Sequence, residues 1–133
     1  MLWLGRAGLI PFILLPAAAW IPLLSTTWAA QAFCAYSLAI LCFLAGTLWG
    51  TAQEVRGAHK NRRLLASNAF VLIAVGAVVF LPTAGAVALL LLTHLLQAAY
   101  EQATAASGWY LRFRWQLTLV ASVCHLALLP LVA

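Results

Sequence analysis

Acidic residues are almost missing from this chain, since only Glu54 and Glu101 carry a carboxylate side chain among 133 residues. This excludes mechanisms that need paired carboxylates, such as glycoside hydrolysis or a carboxylate-bridged di-iron centre. Charged residues of both signs make up 7% of the sequence, against roughly a quarter in a soluble globular domain. A chain so poor in charge cannot cover a water-exposed surface with polar groups.

Cysteine is also scarce, with three residues in all. Cys34 and Cys42 lie on one predicted helix, roughly 12 Å apart along its axis, whereas a disulfide tolerates at most about 7 Å between Cα atoms. Cys42 and Cys124 are the pair whose positions permit an encounter near the middle of the membrane. We expect all three to be small buried apolar side chains rather than a disulfide framework.

Catalytic and phosphate-binding motifs are absent as well. The sequence contains no G-x-S-x-G, no Cys-x-x-Cys, no Gly-rich phosphate loop and no His-Glu-x-x-His. We therefore predict a non-enzymatic protein with no catalytic residues, no metal site and no resident cofactor. The net charge of +5 does not predict nucleic-acid binding, because every basic residue can be assigned to the end of a helix.

Hydrophobic residues, in contrast, make up 66% of the chain, and a helix needs roughly 20 mainly apolar residues to cross a bilayer. The sequence predicts one membrane domain over residues 1–133, an all-α bundle of five transmembrane helices. Their predicted ranges are 7–24, 30–51, 64–81, 84–100 and 115–132. Prolines should bend the first helix, and Pro82-Thr83 should join the third and fourth as a tight hairpin.

The basic residues predict the orientation of this bundle. All seven Lys and Arg residues fall on one side of the predicted membrane, which is the cytoplasmic side under the positive-inside rule. The N-terminus is therefore predicted to be cytoplasmic and the C-terminus periplasmic. The predicted location is the bacterial inner membrane as a multi-pass protein, or the mitochondrial inner membrane if the source is eukaryotic.

Three stretches carry a likeness to a known family. They begin at Leu4, Tyr36 and Trp109 and read LGRAGLIPF, YSLAILCFLAGTLWG and WYLRFRWQLT. In order and spacing they resemble the family called domain of unknown function 3429, which includes the mitochondrial transmembrane protein 69. The family usually has a histidine before the Trp-Gly of the second stretch, where this chain has Leu48. The resemblance implies an inner-membrane location and supplies no activity.

Many residues of these stretches fall at the predicted cytoplasmic ends of the helices. Together with nearby polar residues they predict a pocket open to the inner leaflet, walled by aromatic groups and rimmed by arginine. The predicted ligand-binding residues are Trp49, Asn68, Gln97, Trp109, Tyr110 and Arg112. The alternative is that Trp and Arg at helix ends only anchor the protein at the interface.

Gly46 and Gly50 form a G-x-x-x-G pattern in the second predicted helix. Small residues at this spacing let two helix backbones approach closely. Packing within the monomer is the favoured interpretation, and a homodimer seam is the alternative.

His94 and His125 are the two histidines within predicted membrane helices. Polar groups at such depth are functional candidates by default. His94, Gln97 and Glu101 share one helical face, and we expect His94 and His125 in the middle third of the bilayer, staggered by about one turn. A structural hydrogen bond, a proton or ligand contact, and axial ligation of a haem iron are the alternatives.

Three functional hypotheses follow. The first is a binder or carrier of a small amphipathic ligand, such as a quinone, porphyrin or lipid. The second is an accessory or assembly factor of a larger membrane complex, such as a respiratory one. The third is a haem-binding or other membrane redox protein that uses His94 and His125. The predicted partners are the lipid bilayer, a lipid or quinone, and a larger complex or second copy, but no nucleic acid.

Overall fold

The structure, a computed structural model, describes residues 2–104 and 108–133, and the regular elements of this part of the chain are all helices. The α-helices are α1 (Leu2–Ala7), α2 (Ile10–Trp20), α3 (Thr26–Ala52), α4 (Ala58–Phe80), α5 (Thr83–Thr104) and α6 (Gly108–Val132). With α1 and α2 counted together as one span over Leu2–Trp20, five helices are long and apolar enough to cross a membrane. The predicted five-helix architecture is confirmed.

The helices extend beyond the predicted apolar ranges at one end of the bundle. There α4 begins at Ala58, α5 continues to Thr104 and α6 begins at Gly108. Hydropathy marks where a helix is in hydrocarbon, but helical hydrogen bonding continues through polar residues, so apolar runs underestimate helix length. The ends of α5 and α6 thus cover most of the predicted polar segment between the last two helices, and its residues 105–107 lie outside the described residues.

The first span is interrupted, as its prolines predict. The α-helix breaks at Gly8 and Leu9, and Pro11 stands at the start of α2, where the missing N–H of proline removes no helical bond. The Gly8 carbonyl at the break accepts a hydrogen bond of 2.7 Å from the Tyr36 hydroxyl of α3. A neighbouring helix thus supplies the partner that a broken helix needs in hydrocarbon.

Short connections and small side chains hold the bundle together. Helix α3 contacts α2, α4, α5 and α6 and so lies at the centre. Its interior face is rich in alanine, which lets helix axes approach closely, and the Ser67 hydroxyl of α4 donates to the Ala45 carbonyl of α3 at 2.7 Å. At the far end, the Trp20 indole donates to the Ala127 carbonyl of α6 at 2.8 Å.

Apolar side chains lie on the outside of the bundle as well as in its core, while many polar side chains are buried. Large apolar side chains cover the outside, with Phe80 83% and Leu72 71% exposed. The buried polar and charged residues are Ser37, Ser67, Thr93, His94, Gln97, Glu101, Arg114, Thr118, Ser122 and His125. An apolar exterior, with these polar side chains enclosed within the bundle, fits a multi-pass membrane protein, because hydrocarbon is the solvent of the outer surface.

Gly46 and Gly50 do not pack within the monomer. Both lie on the exposed face of α3, and a methyl group added at either would meet no atom within 4 Å among the described residues. The favoured interpretation of the G-x-x-x-G pattern is corrected accordingly: the pattern is real, but the four neighbouring helices pack on the alanine-rich face instead. The homodimer seam stays a prediction.

The Lys and Arg residues gather at one end of the bundle, here called the basic end. It comprises α1, the connection 53–57 with the start of α4, and the end of α5 with the start of α6. The opposite end holds the connections 21–25 and 81–82 and the C-terminus. The functional groups described below lie between the basic end and the middle of the bundle.

Candidate functional site

A buried ion pair joins α5 to α6 near the basic end. The Arg114 Nε donates to Glu101 Oε2 at 3.0 Å, and the two side chains are only 2% and 3% exposed. A charged pair withdrawn from solvent is costly unless its remaining donors and acceptors are also satisfied. The neighbours of the pair therefore decide what the arrangement can do.

The Glu101 carboxylate is well supplied with donors. Besides Arg114, it accepts from the Gln97 amide at 3.3 Å and from the Tyr110 hydroxyl at 3.3 Å. The Gln97 bond reaches Oε1, whereas the other two reach Oε2. Both carboxylate oxygens thus accept hydrogen bonds, and Glu101 is the ion-pair partner of Arg114.

The Arg114 guanidinium is less completely satisfied. Its Nε is bonded to Glu101 and its Nη1 donates to the Thr118 hydroxyl one turn further along α6. Its Nη2 is buried and has no hydrogen-bond partner among the described residues, and the same is true of the Gln97 Oε1. A buried unpaired donor on a charged group costs about 1–3 kcal/mol or more. An unpaired guanidinium nitrogen in the interior is therefore the kind of group that a ligand would satisfy.

Arg114 lines a cavity of about 240 Å³ between α1, α2, α3, α5 and α6. Most of its wall is apolar, and its polar lining residues are Arg114, Thr118 and His94. Leu4 and Phe43, which also line it, are 79% and 69% exposed, so the cavity reaches the outer surface of the bundle. An apolar pocket with a few converging polar groups is typical of a small-molecule site.

The glycines of the first stretch shape one wall of this cavity. Gly5 and Gly8 both line it, and a methyl group on Gly5 would come within 2.6 Å of the Phe113 ring. Glycine at position 5 therefore lets α1 approach α6 closely.

A serine held between two histidines lies next to the cavity. The Ser37 hydroxyl is 3.1 Å from His94 Nε2 and 2.9 Å from His125 Nε2. All three residues are fully buried, at 1% exposure or less. The His125 Nδ1 lies 2.7 Å from the Ala121 carbonyl of its own helix. Because a carbonyl only accepts, His125 carries its proton on Nδ1.

The two imidazole rings lie close together. The predicted stagger of about one helical turn corresponds to about 5.4 Å, the ring centroids lie 5.4 Å apart, and Ser37 bonds to both rings. Phe12 packs against both rings, with its centroid 5.9 Å from that of His94 and 5.7 Å from that of His125.

The six predicted ligand-binding residues are not gathered around one cavity. Trp49 and Trp109 are 46% and 64% exposed, and Asn68 and Arg112 are also exposed. The Asn68 amide donates to the Leu64 carbonyl of its own helix at 2.9 Å.

The other two predicted residues, Gln97 and Tyr110, do meet, because both donate to Glu101. Tyr110 and Trp109 also line a groove of about 580 Å³ at the basic end, together with Glu101 and Arg63. The buried ion pair thus separates this groove, which Glu101 lines, from the cavity that Arg114 lines.

Sequence reasoning missed the residues that matter most in this geometry. Arg114 was grouped with the interfacial basic residues, yet it is 2% exposed. A usable signal was the spacing of Arg114 and Thr118, which places both on one face of α6. Ser37 gave no signal beyond being a hydroxyl in an apolar run, because its role depends on two histidines that lie 57 and 88 residues away in sequence.

Comparison with known proteins identifies the family. Residues 1–130 match the family described as "Protein of unknown function (DUF3429)". The chain belongs to this family, and the resemblance noted in its three stretches is confirmed. No curated protein and no solved structure matches the chain.

Proposed function

We propose that the protein is a non-enzymatic binder or carrier of a small amphipathic ligand, held in the cavity lined by His94, Arg114 and Thr118. The observation that carries the proposal is the unpaired Nη2 of Arg114, a buried donor on a charged group beside a mostly apolar cavity. A ligand oxygen placed there would satisfy it. The apolar wall would take the adjoining part of the ligand, and the tail would pass between Leu4 and Phe43 into lipid.

The size of the cavity narrows the choice of ligand. Its volume of about 240 Å³ exceeds the roughly 150 Å³ that admits a benzene molecule but is below the roughly 300–1,000 Å³ of a site that encloses a drug-sized ligand. One ring or one short head group fits, and a porphyrin does not. A quinone or a lipid head group is therefore favoured over a porphyrin.

The orientation and location belong to the same proposal. We propose that the basic end faces the cytoplasm across an inner membrane, and the positive-inside rule supports this because all seven Lys and Arg residues lie there. The cavity then opens to the inner leaflet, the N-terminus is cytoplasmic and the C-terminus lies on the opposite side. Reporter tags on the two termini test this topology, and tags that report the same compartment would contradict it.

Native mass spectrometry of protein extracted with its lipids tests the binding proposal. Ala121 is 3% exposed and lines the cavity, so Ala121→Leu fills the site without removing a polar partner. The matched control is Ala35→Leu on the exposed face of α3. A discrete small-molecule adduct on the wild type and the control that is lost from Ala121→Leu is expected. Equal adducts on all three proteins, or none on any, would contradict the proposal.

The accessory-factor alternative has support of a different kind. The open face at Gly46 and Gly50 leaves room for the close approach of a helix from another chain. Purification in a gentle detergent tests this alternative. An assembly factor should co-purify with a larger complex, and a protein that purifies as a monomer would count against it.

The haem alternative has less support. The Nε2 atoms of His94 and His125 both point to Ser37, whereas axial ligands need their nitrogens free to face the iron from opposite sides of a porphyrin. A visible absorption spectrum tests this alternative, and a Soret band in the purified protein would support haem binding.

A further inference from the structure

A second groove, here called the basic groove, lies at the basic end between the start of α4 and the end of α5. Its volume is about 770 Å³, within the range of roughly 300–1,000 Å³ that is common for ligand sites. Its basic lining residues are Arg56, His59, Arg62 and Arg63. It shares no lining residue with the cavity beside Arg114, so it is a separate site.

The arginines of the basic groove are not neutralised. None of the lining residues is acidic, and the first turn of α4 holds no acidic residue either. Glu54 lines the adjoining groove instead, and the one ion pair among the described residues joins Glu101 to Arg114. Three positively charged side chains thus line one groove without a carboxylate partner, and an anion bound among them would relieve their mutual repulsion.

Backbone hydrogen bonds hold one of these arginines in place. The Arg63 guanidinium donates to the Thr104 carbonyl of α5 at 2.5 Å and to the Thr51 carbonyl of α3 at 3.5 Å. A guanidinium that is already fixed loses little conformational freedom when it binds an anion. Arg56 and Arg62 are exposed, so their side chains can turn towards a ligand.

The basic groove continues onto the apolar surface of the bundle. Leu65 lines it and is 70% exposed. Tyr100 lines it as well, and the Phe70 ring packs edge-on against the Tyr100 ring at a centroid distance of 6.0 Å. Leu65 belongs to the candidate membrane span Ala58–Phe80. The groove therefore offers a charged part for a head group and, next to it, an apolar part for a hydrocarbon chain.

We propose that the basic groove binds an anionic phospholipid, with the phosphate among its three arginines and an acyl chain along Leu65. Guanidinium groups match phosphate oxygens in both geometry and charge, and basic pockets between membrane helices bind acidic lipid head groups. A soluble phosphate compound would use the arginines but leave the apolar part of the groove uncovered. This inference goes beyond the proposed function, because it assigns a second site and does not depend on the first cavity.

Native mass spectrometry of the detergent-solubilised protein, titrated with short-chain phosphatidylglycerol, tests the site. Short-chain phosphatidylcholine is one control, because it keeps the phosphate and the chains while its choline cancels the net charge. Glycerophosphoglycerol is the other control, because it is the head group of phosphatidylglycerol without the acyl chains. We expect the wild type to bind phosphatidylglycerol about tenfold or more tightly than either control.

Two double variants separate the basic groove from the overall charge. Arg56→Gln with Arg62→Gln removes two arginines of the groove, whereas Arg6→Gln with Arg112→Gln removes two exposed arginines that do not line it. Each basic residue should contribute about fivefold to the affinity, the equivalent of about 1 kcal/mol. The groove variant should therefore bind phosphatidylglycerol about 25-fold less tightly, and the control variant less than about twofold less tightly.

Equal losses in the two double variants would overturn the inference, because binding would then follow the total charge. Equal binding of the two lipids, equal binding of glycerophosphoglycerol and phosphatidylglycerol, or no binding of phosphatidylglycerol would overturn it as well. Ala121→Leu, which fills the first cavity, should bind phosphatidylglycerol like the wild type. Loss of this lipid from Ala121→Leu would place it in the first cavity, which overturns this inference and supports the proposed function. The wild-type comparisons keep the test valid even if the groove variant fails to fold.

Discussion

Replacement of Glu101 by glutamine tests the buried ion pair most sharply. Glu101→Gln preserves the size of the side chain and an oxygen for its donors, but it leaves the Arg114 charge buried without a counter-charge. The two side chains are 3.0 Å apart and no more than 3% exposed. Pairs at a protein surface contribute only about 0–1 kcal/mol, whereas breaking one partner of a buried pair costs about 3–5 kcal/mol.

We therefore expect Glu101→Gln to lower the free energy of unfolding by about 3–5 kcal/mol. Since about 1.4 kcal/mol corresponds to a factor of ten, the folding equilibrium constant should fall by roughly two to three and a half orders of magnitude. Unfolding in mixed micelles with increasing sodium dodecyl sulfate, followed by tryptophan fluorescence and circular dichroism, measures it. The matched control is Glu54→Gln, which changes the one other acidic residue of the chain at an exposed position.

The double variant Glu101→Gln with Arg114→Gln adds a second check. It removes both charges, so most of the lost stability should return, because no uncompensated charge is left in the interior. If Glu101→Gln unfolds within about 1 kcal/mol of the wild type, as a surface pair would, the assignment of a desolvated pair near the basic end is wrong.

Two further predictions concern helix contacts. Arg63→Ala should lower the free energy of unfolding by about 1–2 kcal/mol in the same assay, because the Arg63 guanidinium donates at 2.5 Å to the last carbonyl of α5. Its control, Arg62→Ala at an exposed position, should change this free energy little, and equal effects of the two variants would contradict the prediction. Gly5→Ala should lower the free energy of unfolding by about 1–3 kcal/mol through overpacking, since the added methyl group meets the Phe113 ring. Its control, Gly46→Ala, should leave the stability of the monomer unchanged. A large loss in Gly46→Ala monomers would show that its face is packed after all.

Much of the architecture could be predicted from hydropathy alone. The five spans, the proline-bent first span and the short turn at Pro82 follow from the lengths of apolar runs and from the backbone chemistry of proline. The shared face of His94, Gln97 and Glu101 follows from helical periodicity, and all three are buried on α5.

The candidate site could not be predicted in the same way. Periodicity assigns residues to faces of one helix but does not say which faces meet, so the joint contact of Ser37 with His94 and His125 was invisible. Arg112 and Arg114 look equivalent in sequence, yet one is exposed and the other is buried against Glu101. Side chains two positions apart on a helix point in directions about 200° apart. Only the packed structure decides which of the two arginines points inward.

Photo-crosslinking at the mouth of the cavity tests the central claim most directly. Phe43 lines the cavity and is 69% exposed, while Phe80 is 83% exposed at the opposite end. Each is replaced in turn by p-benzoylphenylalanine, the protein is irradiated in native membranes, and the adduct masses are read by mass spectrometry. The account predicts a discrete small-molecule adduct at position 43 that position 80 lacks, and the same spread of bulk lipids at both positions would contradict it.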